Sequence, residues 1–315
     1  MGKIIALCTS EKKGTLKEPV MSVELREGYG IVGDAHAGNW HRQVSLLAIE
    51  KIEEFRKKGV DVNFGAFGEN IVTEGIDLRK LPVGTRLKLG SDVVLEVTQI
   101  GKECHKDCAI RQQVGDCIMP REGIFAEVVH GGMLEPDGDI EILPSDENRP
   151  FTAAVITVSD KGSTGEREDK SGPVMKEMLE GEGYKVVESV ILPDGVEPLC
   201  SELIRLSDSR QVNLIVTSGG TGFSVRDLTP EATIKASERM APGIAEAMRA
   251  HSMTITDRAC LSRAVSAIRG TTLVINLPGS PKAVREDLEY ILPIIEHGLH
   301  ILRGSASECA SEHLS

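Results

Sequence analysis

A glycine-rich loop closed by an arginine–aspartate pair carries the clearest chemistry in this sequence. The loop occupies residues 217–225, contains three glycines and several hydroxyl side chains, and is followed by Arg226 and Asp227. Glycines let backbone N–H groups approach an anion closely, and an aspartate offers a hard oxygen ligand for Mg²⁺. The sequence therefore predicts a phosphate site with a metal ligand, Asp227, beside it. The loop residues expected to cradle the ligand are Gly219, Gly220, Thr221 and Gly222.

The elements on either side of this loop can be identified from their patterns. An apolar run predicts a strand over 212–217 before the loop. After it, a helix is expected with Thr229 as its N-cap and Pro230 at its first position. A strand, a loop, an acid and a capped helix in one run is a more specific signal than glycines alone. No GxxxxGK(S/T) or GxGxxG pattern occurs, so neither of those nucleotide sites is expected.

The second half of the chain alternates between apolar strands and amphipathic helices. This alternation predicts an α/β domain of three layers, in which a mostly parallel sheet is covered on both faces. A ligand is then expected at the carboxyl ends of the strands. The strands are predicted at 152–158, 185–192, 212–217 and 272–277, and the helices near 172–183, 196–209, 230–239, 242–252 and 281–302.

Further candidate residues lie at these strand ends. Asp194 follows the strand at 185–192 and is a second candidate metal ligand. The other candidate ligand-binding residues are Asp169, Ser171, Gly172, Ser262, Asn276, Pro278, Gly279 and Ser280. Each also has a simpler interpretation: Asp194 as a turn acid, Asp227 as an acid near a helix dipole, and the others as caps or connections.

The first half of the chain has a different pattern, in which short strand-like runs are separated by glycines. This predicts a mostly-β domain, either a barrel or a sandwich, with one helix near 46–58 and Ser45 as its possible N-cap. Residues 144–150 lack apolar periodicity and contain two prolines, which is typical of a linker. We therefore predict domains at 1–143 and 151–304, followed by a small polar tail over 305–315 that we expect to fray.

Three groups in the first half could carry chemistry. Asp34 and His36 lie in a glycine-punctuated turn, as a site or as turn stabilisers, whereas Glu69 and Asn70 are better interpreted as structural. Cys104 stands in a polar run with two lysines and a histidine that could lower its pKa. Structural zinc and ordinary thiols remain alternatives for this cysteine-rich region, which also contains His105, Cys108 and Cys117.

Composition narrows the class of protein. The formal charge of −12 argues against nucleic acid as a principal partner. No apolar run reaches the roughly 18–20 residues that span a bilayer, so no membrane association is expected. Seven cysteines in a long chain without a signal-like N-terminus favour a reduced, cytoplasmic protein.

Ordered motifs across residues 152–303 resemble the molybdopterin-binding family that includes the molybdopterin adenylyltransferases. They are TVSD at 157, DKSGP at 169, LPD at 192, the GGTG…RDLTPEA run, LSR at 261 and NLPGSPK at 276. The resemblance implies a molybdopterin substrate, ATP, and Mg²⁺ handled by Asp194 and Asp227 as catalytic acids. It also implies a homotrimer. A non-catalytic molybdopterin carrier is the alternative.

Residues 3–143 resemble the MOSC domain found in molybdenum cofactor sulfurases. The matching motifs are GIVGDAH at 30, HRQV at 41 and GAFGEN at 65, followed by Cys104. The resemblance implies a barrel that handles sulfur or the mature molybdenum cofactor, with Cys104 carrying persulfide or contacting molybdenum; Cys117 competes for this role. A sulfurase would need a cysteine desulfurase partner, because nothing here resembles a pyridoxal-phosphate domain; a molybdenum insertase is another expected partner. In that alternative, sulfur transfer is the main activity and the second domain delivers cofactor.

Overall fold

The structure is a computed structural model that describes residues 2–102 and 116–304. The chain forms two compact units, Met1–Asp146 and Glu147–Ser315. The predicted roles of Cys104, His105 and Cys108, and the predicted tail over 305–315, lie outside the described residues. In the described ranges, no helix combines the length and apolar character needed to cross a bilayer.

The first unit is built on a closed β-barrel. Its strands are β1 Gly2–Thr9, β2 Glu18–Val20, β3 Val23–Arg26, β4 Gly30–Ile31, β5 Val44–Ala48, β6 Ile71–Glu74, β7 Arg86–Leu89, β8 Val93–Ile100, β9 Ile124–His130, β10 Gly132–Leu134 and β11 Asp139–Ile142. The barrel order is β11-β7-β8-β9-β5-β6-β1, and antiparallel pairing of β1 with β11 closes it. Strand β2 extends β1, while β10, β3 and β4 form a separate small sheet. This confirms the predicted mostly-β barrel.

The helix that the sequence predicts near 46–58 begins later than expected. Strand β5 takes the first part of that run, and helix α1, Ile49–Arg56, follows directly. Ser45 is therefore a strand residue and not an N-cap; its Oγ donates to Gly68 O and Asn70 Oδ1. Every residue of β5 is buried, and a short run that is apolar on both sides cannot be distinguished from a helix by periodicity. The other helices of this unit within residues 2–102 and 116–146 are α2, Met119–Glu122, and a 3₁₀ turn, Leu78–Lys80.

The second unit is a six-stranded sheet between two layers of helices. Its strands are β12 Thr152–Val158, β13 Lys185–Leu192, β14 Leu214–Ser218, β15 Arg239–Met240, β16 Ser266–Arg269 and β17 Thr272–Leu277. Its helices are α3 Asp160–Ser163, α4 Ser171–Gly181, α5 Val196–Ile204, α6 Thr229–Ala236, α7 Pro242–Met253 and α8 Pro281–Arg303. The order is β13-β12-β14-β17-β16-β15, parallel from β13 to β17 and antiparallel at β16 and β15.

Separate apolar clusters pack on the two faces of this sheet. Helices α4, α7 and α8 cover one face and α5 and α6 cover the other, which confirms the three layers. All four predicted strands and five predicted helices are present, whereas the short edge strands β15 and β16 and helix α3 were not predicted. Helix α5 ends in a π-turn, Arg205–Ser209. Helix α6 has Leu228 as its N-cap and Thr229 as its first helical residue, one position from the prediction.

Candidate functional site

The loop after β14 borders a cavity of about 580 Å³ at the carboxyl ends of the parallel strands. Both predicted acids, Asp194 and Asp227, line this cavity. The other predicted residues that line it are Asp169, Ser171, Gly219, Gly220 and Gly279. Seven candidates from four separate stretches of sequence therefore share one cavity, because parallel strands bring their ends to a common edge.

Two loop positions can be occupied only by glycine. Gly219 has a φ of +100°, and a Cβ there would lie 2.4 Å from the carbonyl oxygen of Val158. Gly220 has a φ of +62°, and its Cβ would lie 2.4 Å from Thr229 Oγ1. Both values lie in the left-handed region that side chains disfavour. The backbone of this loop is therefore packed directly against β12 and the start of α6, which fixes the direction of its N–H groups.

Asp194 is joined to Asp160, an acid that the sequence did not single out as a candidate. The Asp194 N–H donates to Asp160 Oδ1 at 3.0 Å, and the Asp160 N–H donates to Asp194 Oδ2 at 3.2 Å. The Arg226 guanidinium donates to Asp160 Oδ2 at 3.1 Å, which partly balances the charge of the two carboxylates. Asp160 could have been identified from the sequence, because it lies just after strand β12 and is the last residue of the TVSD motif that resembles the family.

Arg263 holds both ends of the stretch that contains Asp227. Its Nε donates to Gly222 O at 2.8 Å, and its guanidinium also donates to Asp227 O. It pairs with Glu231 as well, and this hydrogen bond lowers the pKa of the Glu231 carboxyl. The Asp227 carboxylate accepts the Ser224 N–H at 2.8 Å. Arg263 is thus a positioning residue for the acid, through contacts 32 to 41 residues apart that no local pattern reveals.

The group before α4 caps its helix and faces the cavity at the same time. Asp169 Oδ1 accepts the N–H groups of Ser171 and Gly172, each at 3.0 Å, and Oδ2 accepts Thr157 Oγ1 at 2.8 Å. Ser171 Oγ donates to Gly279 O at 3.0 Å. The capping interpretation therefore holds for Asp169, whereas Ser171 and Gly172 lie in the helix and donate the N–H groups that it accepts. A ligand role for Asp169 and Ser171 stays a prediction.

The remaining candidates are distributed elsewhere. A second cavity of about 280 Å³ borders the next residues of the loop and is lined by four of the candidates: Thr221, Gly222, Ser262 and Pro278. Asn276 is fully buried, and its amide donates to Thr217 Oγ1 and Thr233 Oγ1, so it joins β14, β17 and α6. Ser280 is the N-cap of α8 without a side-chain cap bond.

The two acids of the larger cavity suit a metal that is shared with a substrate. Within residues 2–102 and 116–304, no group of three or more His, Cys, Asp or Glu side chains forms a complete metal site. Magnesium is commonly held by one or two carboxylates together with water and substrate phosphates. Asp194 and Asp227 therefore fit Mg²⁺ that binds together with a polyphosphate, and they do not fit a permanently bound structural ion.

In the barrel unit, Asp34 is the centre of a buried polar cluster. Its carboxylate accepts Lys17 Nζ at 2.5 Å, the Ser10 and His36 N–H groups at 3.0 and 2.9 Å, and Asn70 Nδ2 at 3.2 Å. Although burial acts in the opposite direction, the His36 and Lys17 hydrogen bonds hold the pKa of Asp34 well below its usual range. Lys17 Nζ lies 3.3 Å from His36 Nδ1, and the His36 side chain is about one-third exposed.

Two other predicted groups of this unit are buried. Glu69 is fully buried and accepts the Gly65 and Phe67 N–H groups at 2.7 and 3.0 Å, in agreement with its structural interpretation. Cys117, which competed with Cys104 for the chemical role, is 4% exposed in an apolar cluster with Met119 and Phe125. An active thiolate must be reachable, so the geometry does not favour Cys117.

Comparison with known proteins identifies the family. Residues 154–297 match the family model described as a probable molybdopterin binding domain. The molybdopterin adenylyltransferase of Helicobacter pylori is 40% identical over 153 residues, which cover 48% of this chain and 87% of that protein. The chain belongs to the molybdopterin adenylyltransferase family. Molybdenum cofactor biosynthesis is therefore its process, and the named relatives are nucleotidyltransferases.

Other members of the molybdopterin adenylyltransferase family match the same half. The Escherichia coli K12 protein is 35% identical over 151 residues, which cover 46% of this chain and 77% of that protein. The molybdopterin biosynthesis enzyme MoaB of Thermus thermophilus has a solved structure, with 43% identity, coverage of 49% of this chain and 97% of that one, and a TM-score of 0.47. Residues 33–141 match the MOSC domain model, so this family member also carries a MOSC domain.

Proposed function

We propose that the C-terminal domain transfers the adenylyl group of ATP to the terminal phosphate of molybdopterin with the help of Mg²⁺. The observation that carries this proposal is the shared cavity in which Asp194 and Asp227 meet the backbone of Gly219 and Gly220. Two acids and a strand-end glycine loop are the groups that a nucleotidyl transfer needs. The relatives are named molybdopterin adenylyltransferases, which supports molybdopterin as the acceptor of the adenylyl group.

In this reaction, a phosphate oxygen of molybdopterin attacks the α-phosphorus of ATP, and pyrophosphate leaves. Because the nucleophile is already anionic, the protein has little covalent chemistry to perform, and catalysis consists mainly of positioning and charge stabilisation. The Gly219 N–H donates to the Leu277 carbonyl oxygen at 3.3 Å, which holds the loop in place, and the N–H of Gly220 can bind a phosphate oxygen. Arg226 pairs with Asp160, which is hydrogen-bonded to Asp194, and so brings positive charge near that acid.

Asp194 and Asp227 would hold Mg²⁺, which neutralises the charge of the triphosphate when it is bound. Their own geometry supports this role. Each carboxylate is held by backbone N–H groups, Asp194 by Asp160 and Asp227 by Ser224, so neither is free to swing away. Arg263 fixes the carbonyl of Asp227 and thereby the acid's position relative to the loop.

The test replaces each acid by its amide. We expect Asp194→Asn and Asp227→Asn to reduce formation of adenylylated molybdopterin by at least about 100-fold, because charge stabilisation in the transition state is lost. Product is measured by mass spectrometry with purified molybdopterin, ATP and Mg²⁺, and molybdopterin binding is measured separately and should be nearly unchanged. Glu180→Gln, an exposed acid on α4, is the matched control.

Two results would contradict this assignment. One is unchanged turnover in both amide variants, and the other is wild-type turnover that survives removal of Mg²⁺. If wild-type protein binds molybdopterin but never consumes ATP, the non-catalytic carrier is the correct alternative. Trimer formation by this domain stays part of the proposal and is measured by the mass of the protein in solution.

For the MOSC domain, we propose that it handles sulfur or the mature molybdenum cofactor through Cys104. The match of residues 33–141 to the MOSC model supports this role, and so does the buried cluster that fixes His36 beside Lys17 and Asp34. A cysteine desulfurase would supply the sulfur, or an insertase would exchange the cofactor. The same match also supports the alternative in which sulfur transfer by the MOSC domain is the main activity and the C-terminal domain delivers cofactor.

A further inference from the structure

His36 connects the buried polar cluster of the barrel unit to its surface. The side chains of Lys17 and Asp34 are 1% and 0% exposed, whereas that of His36 is 32% exposed. His36 Nδ1 lies 3.3 Å from Lys17 Nζ and 3.4 Å from Asp34 Oδ1, so this edge of the ring faces the buried pair. The exposed third of the side chain is therefore the part of the ring that carries Nε2.

The position of the ring proton determines what His36 can do at this surface. A neutral imidazole carries its proton on one ring nitrogen, and the other nitrogen is an acceptor. If Nδ1 carried the proton, its nearest acceptor would be Asp34 Oδ1, which already accepts the His36 backbone N–H at 2.9 Å. The Nδ1–H group would also face the Lys17 amino group at 3.3 Å, so that two donors would oppose each other.

The ammonium group of Lys17 decides between the two tautomers. Among the described residues, its side-chain partners are Asp34 Oδ2 at 2.5 Å and His36 Nδ1. Burial lowers the pKa of Lys17, and the hydrogen bond and the charge of Asp34 act in the opposite direction and favour the ammonium. A buried ammonium has three donors, and leaving it with a single acceptor is costly. Lys17 therefore donates to Nδ1, and the ring proton lies on Nε2.

Two cations lie beside the segment that carries His36. Trp40 Nε1 donates to His36 O at 2.7 Å, which ties the indole ring to this turn. The Arg42 guanidinium lies 4.8 Å from the centre of the Trp40 ring, and Lys13 Nζ lies 5.6 Å from it. An N–H donor next to positive charge suits an anionic acceptor. A general base would instead need a lone pair, which Nε2 does not have in this tautomer.

We infer that Lys17 is a positioning residue that holds the ring proton of His36 on Nε2, and that His36 donates this hydrogen bond to an anionic sulfur or oxygen atom of the ligand. The inference rests on the proposed function of the MOSC domain and deepens it. It assigns His36 as a hydrogen-bond donor, and not as the base that removes the proton of a thiol. The terminal sulfur of a persulfide and an oxygen of a metal oxyanion are the two acceptors that this donor would suit.

The nitrogen spectrum of the full chain, labelled with ¹⁵N in its histidines, tests the tautomer without any turnover. Long-range ¹H–¹⁵N correlations at about pH 8, where ordinary imidazoles are neutral, show which ring nitrogen carries the proton. The His36 signals are those that disappear in His36→Gln. We expect the proton on Nε2 in wild type and on Nδ1 in Lys17→Met, where Asp34 Oδ1 is the nearest remaining partner of Nδ1. Lys80→Met, which changes an exposed lysine of the same unit, is the matched control and should keep the wild-type pattern.

Two results would overturn the assignment of the tautomer. A wild-type spectrum with the proton on Nδ1 would do so whether or not Lys17→Met folds. An unchanged tautomer in folded Lys17→Met would show that Lys17 does not position the ring. Thermal melting of each variant checks that it is folded.

Two inorganic anions test the donor role, thiosulfate for a terminal sulfur and molybdate for a metal oxyanion. We expect at least one of them to shift the His36 Nε2 resonance and to bind His36→Leu about 10-fold or more weakly, because a hydrogen bond to a charged group is lost. His36→Gln, whose amide N–H can replace the Nε2–H, should bind more tightly than His36→Leu. His130→Leu, which changes an exposed histidine of the same unit, is the matched control. A His36 Nε2 resonance that neither anion shifts would overturn the donor role.

The failure of this inference can be distinguished from the failure of the proposed function. If Cys104→Ala keeps full sulfur or cofactor transfer, the proposed role of the MOSC domain is wrong, and the spectrum of His36 still decides the tautomer. If transfer depends on Cys104 while the ring proton of His36 lies on Nδ1, the inference alone is wrong.

Discussion

At the scale of single residues, Glu69 makes the stability of the barrel unit depend on pH. Its burial raises the pKa of the carboxyl to about 7, against the hydrogen bonds from the backbone N–H groups of Gly65 and Phe67. Between about pH 4.5, the ordinary value, and about pH 7, the folded state therefore binds a proton that the unfolded state releases. The contribution of Glu69 to the free energy of unfolding of the barrel unit therefore falls as the pH rises from about 4.5 to about 7, and it is constant above that range.

We predict that this group destabilises the unit by about 3 kcal/mol at pH 7.5 relative to pH 4.5. Urea midpoints followed by the fluorescence of Trp40, the only tryptophan of the chain, measure this unit. Glu69→Gln should show a flatter dependence on pH than wild type, and that difference excludes the histidines, which titrate in both proteins. Parallel curves for the two proteins would contradict the prediction. Asp34 acts at lower pH, since its pKa lies below the usual range.

The residues that sequence could identify share one property, which is a position at the end of a local pattern. Asp194 and Asp227 each follow a strand and a turn, and the structure places both at one cavity. The sequence singles out Arg263 only through its motif, and its role in holding Asp227 could not be predicted, because that role comes from contacts with residues 32 to 41 positions away. A linear pattern contains no information about such contacts when each residue alone resembles an ordinary surface or helix residue.

At the scale of elements, the loop between β14 and α6 depends on the clamp made by Arg263. We predict that Arg263→Ala lowers kcat of the adenylylation by about 10-fold or more, because Asp227 loses its fixed position while remaining present. Arg263→Lys should recover little, since a lysine cannot make the divided contacts of a guanidinium to Gly222 O, Asp227 O and Glu231. The measurement compares kcat and KM for both variants with the wild type.

A merely structural role of Arg263 would give a different result. In that case the melting temperature would fall while the kcat of the folded fraction stayed unchanged. Arg269→Ala is the matched control, because it removes a comparable pair with Asp208, and Arg269 lines neither of the two cavities described above.

Helices and strands could be predicted from the sequence where the apolar residues recur with a clear period. The prediction failed where strands are short or buried on both sides. The four parallel strands are long, apolar and bounded by turns. Strands β15 and β16 have two and four residues, too few to establish an alternating pattern, and their pairing depends on the hairpin with β17. The start of α1 was misplaced for the opposite reason, because the fully buried β5 merges with the helix that follows it.

At the scale of the whole molecule, we predict that cleavage within residues 144–150 releases two pieces that fold separately. The two units, Met1–Asp146 and Glu147–Ser315, each contain their own apolar clusters, so each can bury a core by itself. A fragment of residues 151–304 should keep the adenylylation at near wild-type kcat. Cys104→Ala in the full chain should leave that activity unchanged.

Tryptophan fluorescence provides the physical readout for this prediction. Trp40 lies in the first unit, whereas far-ultraviolet circular dichroism reports on both, so the two signals should give different unfolding midpoints. Coincident transitions at every pH, together with fragments that fail to fold, would show that the two units are not independent.

The closure of the barrel has a consequence for how the protein is made. Strand β1 pairs with β2, β6 and β11, and Gly2 lies opposite Ile140, so the first strand of the unit needs the last one. On the ribosome, β2 can pair with Leu7–Thr9 early, but the Gly2–Lys3 end of β1 has no partner on that edge until about 140 residues have been synthesised. Strand β12 meets β13 after only about 30 further residues. The domain that emerges first therefore has the longer wait for its closing strand, and it is the one expected to need chaperone protection during translation.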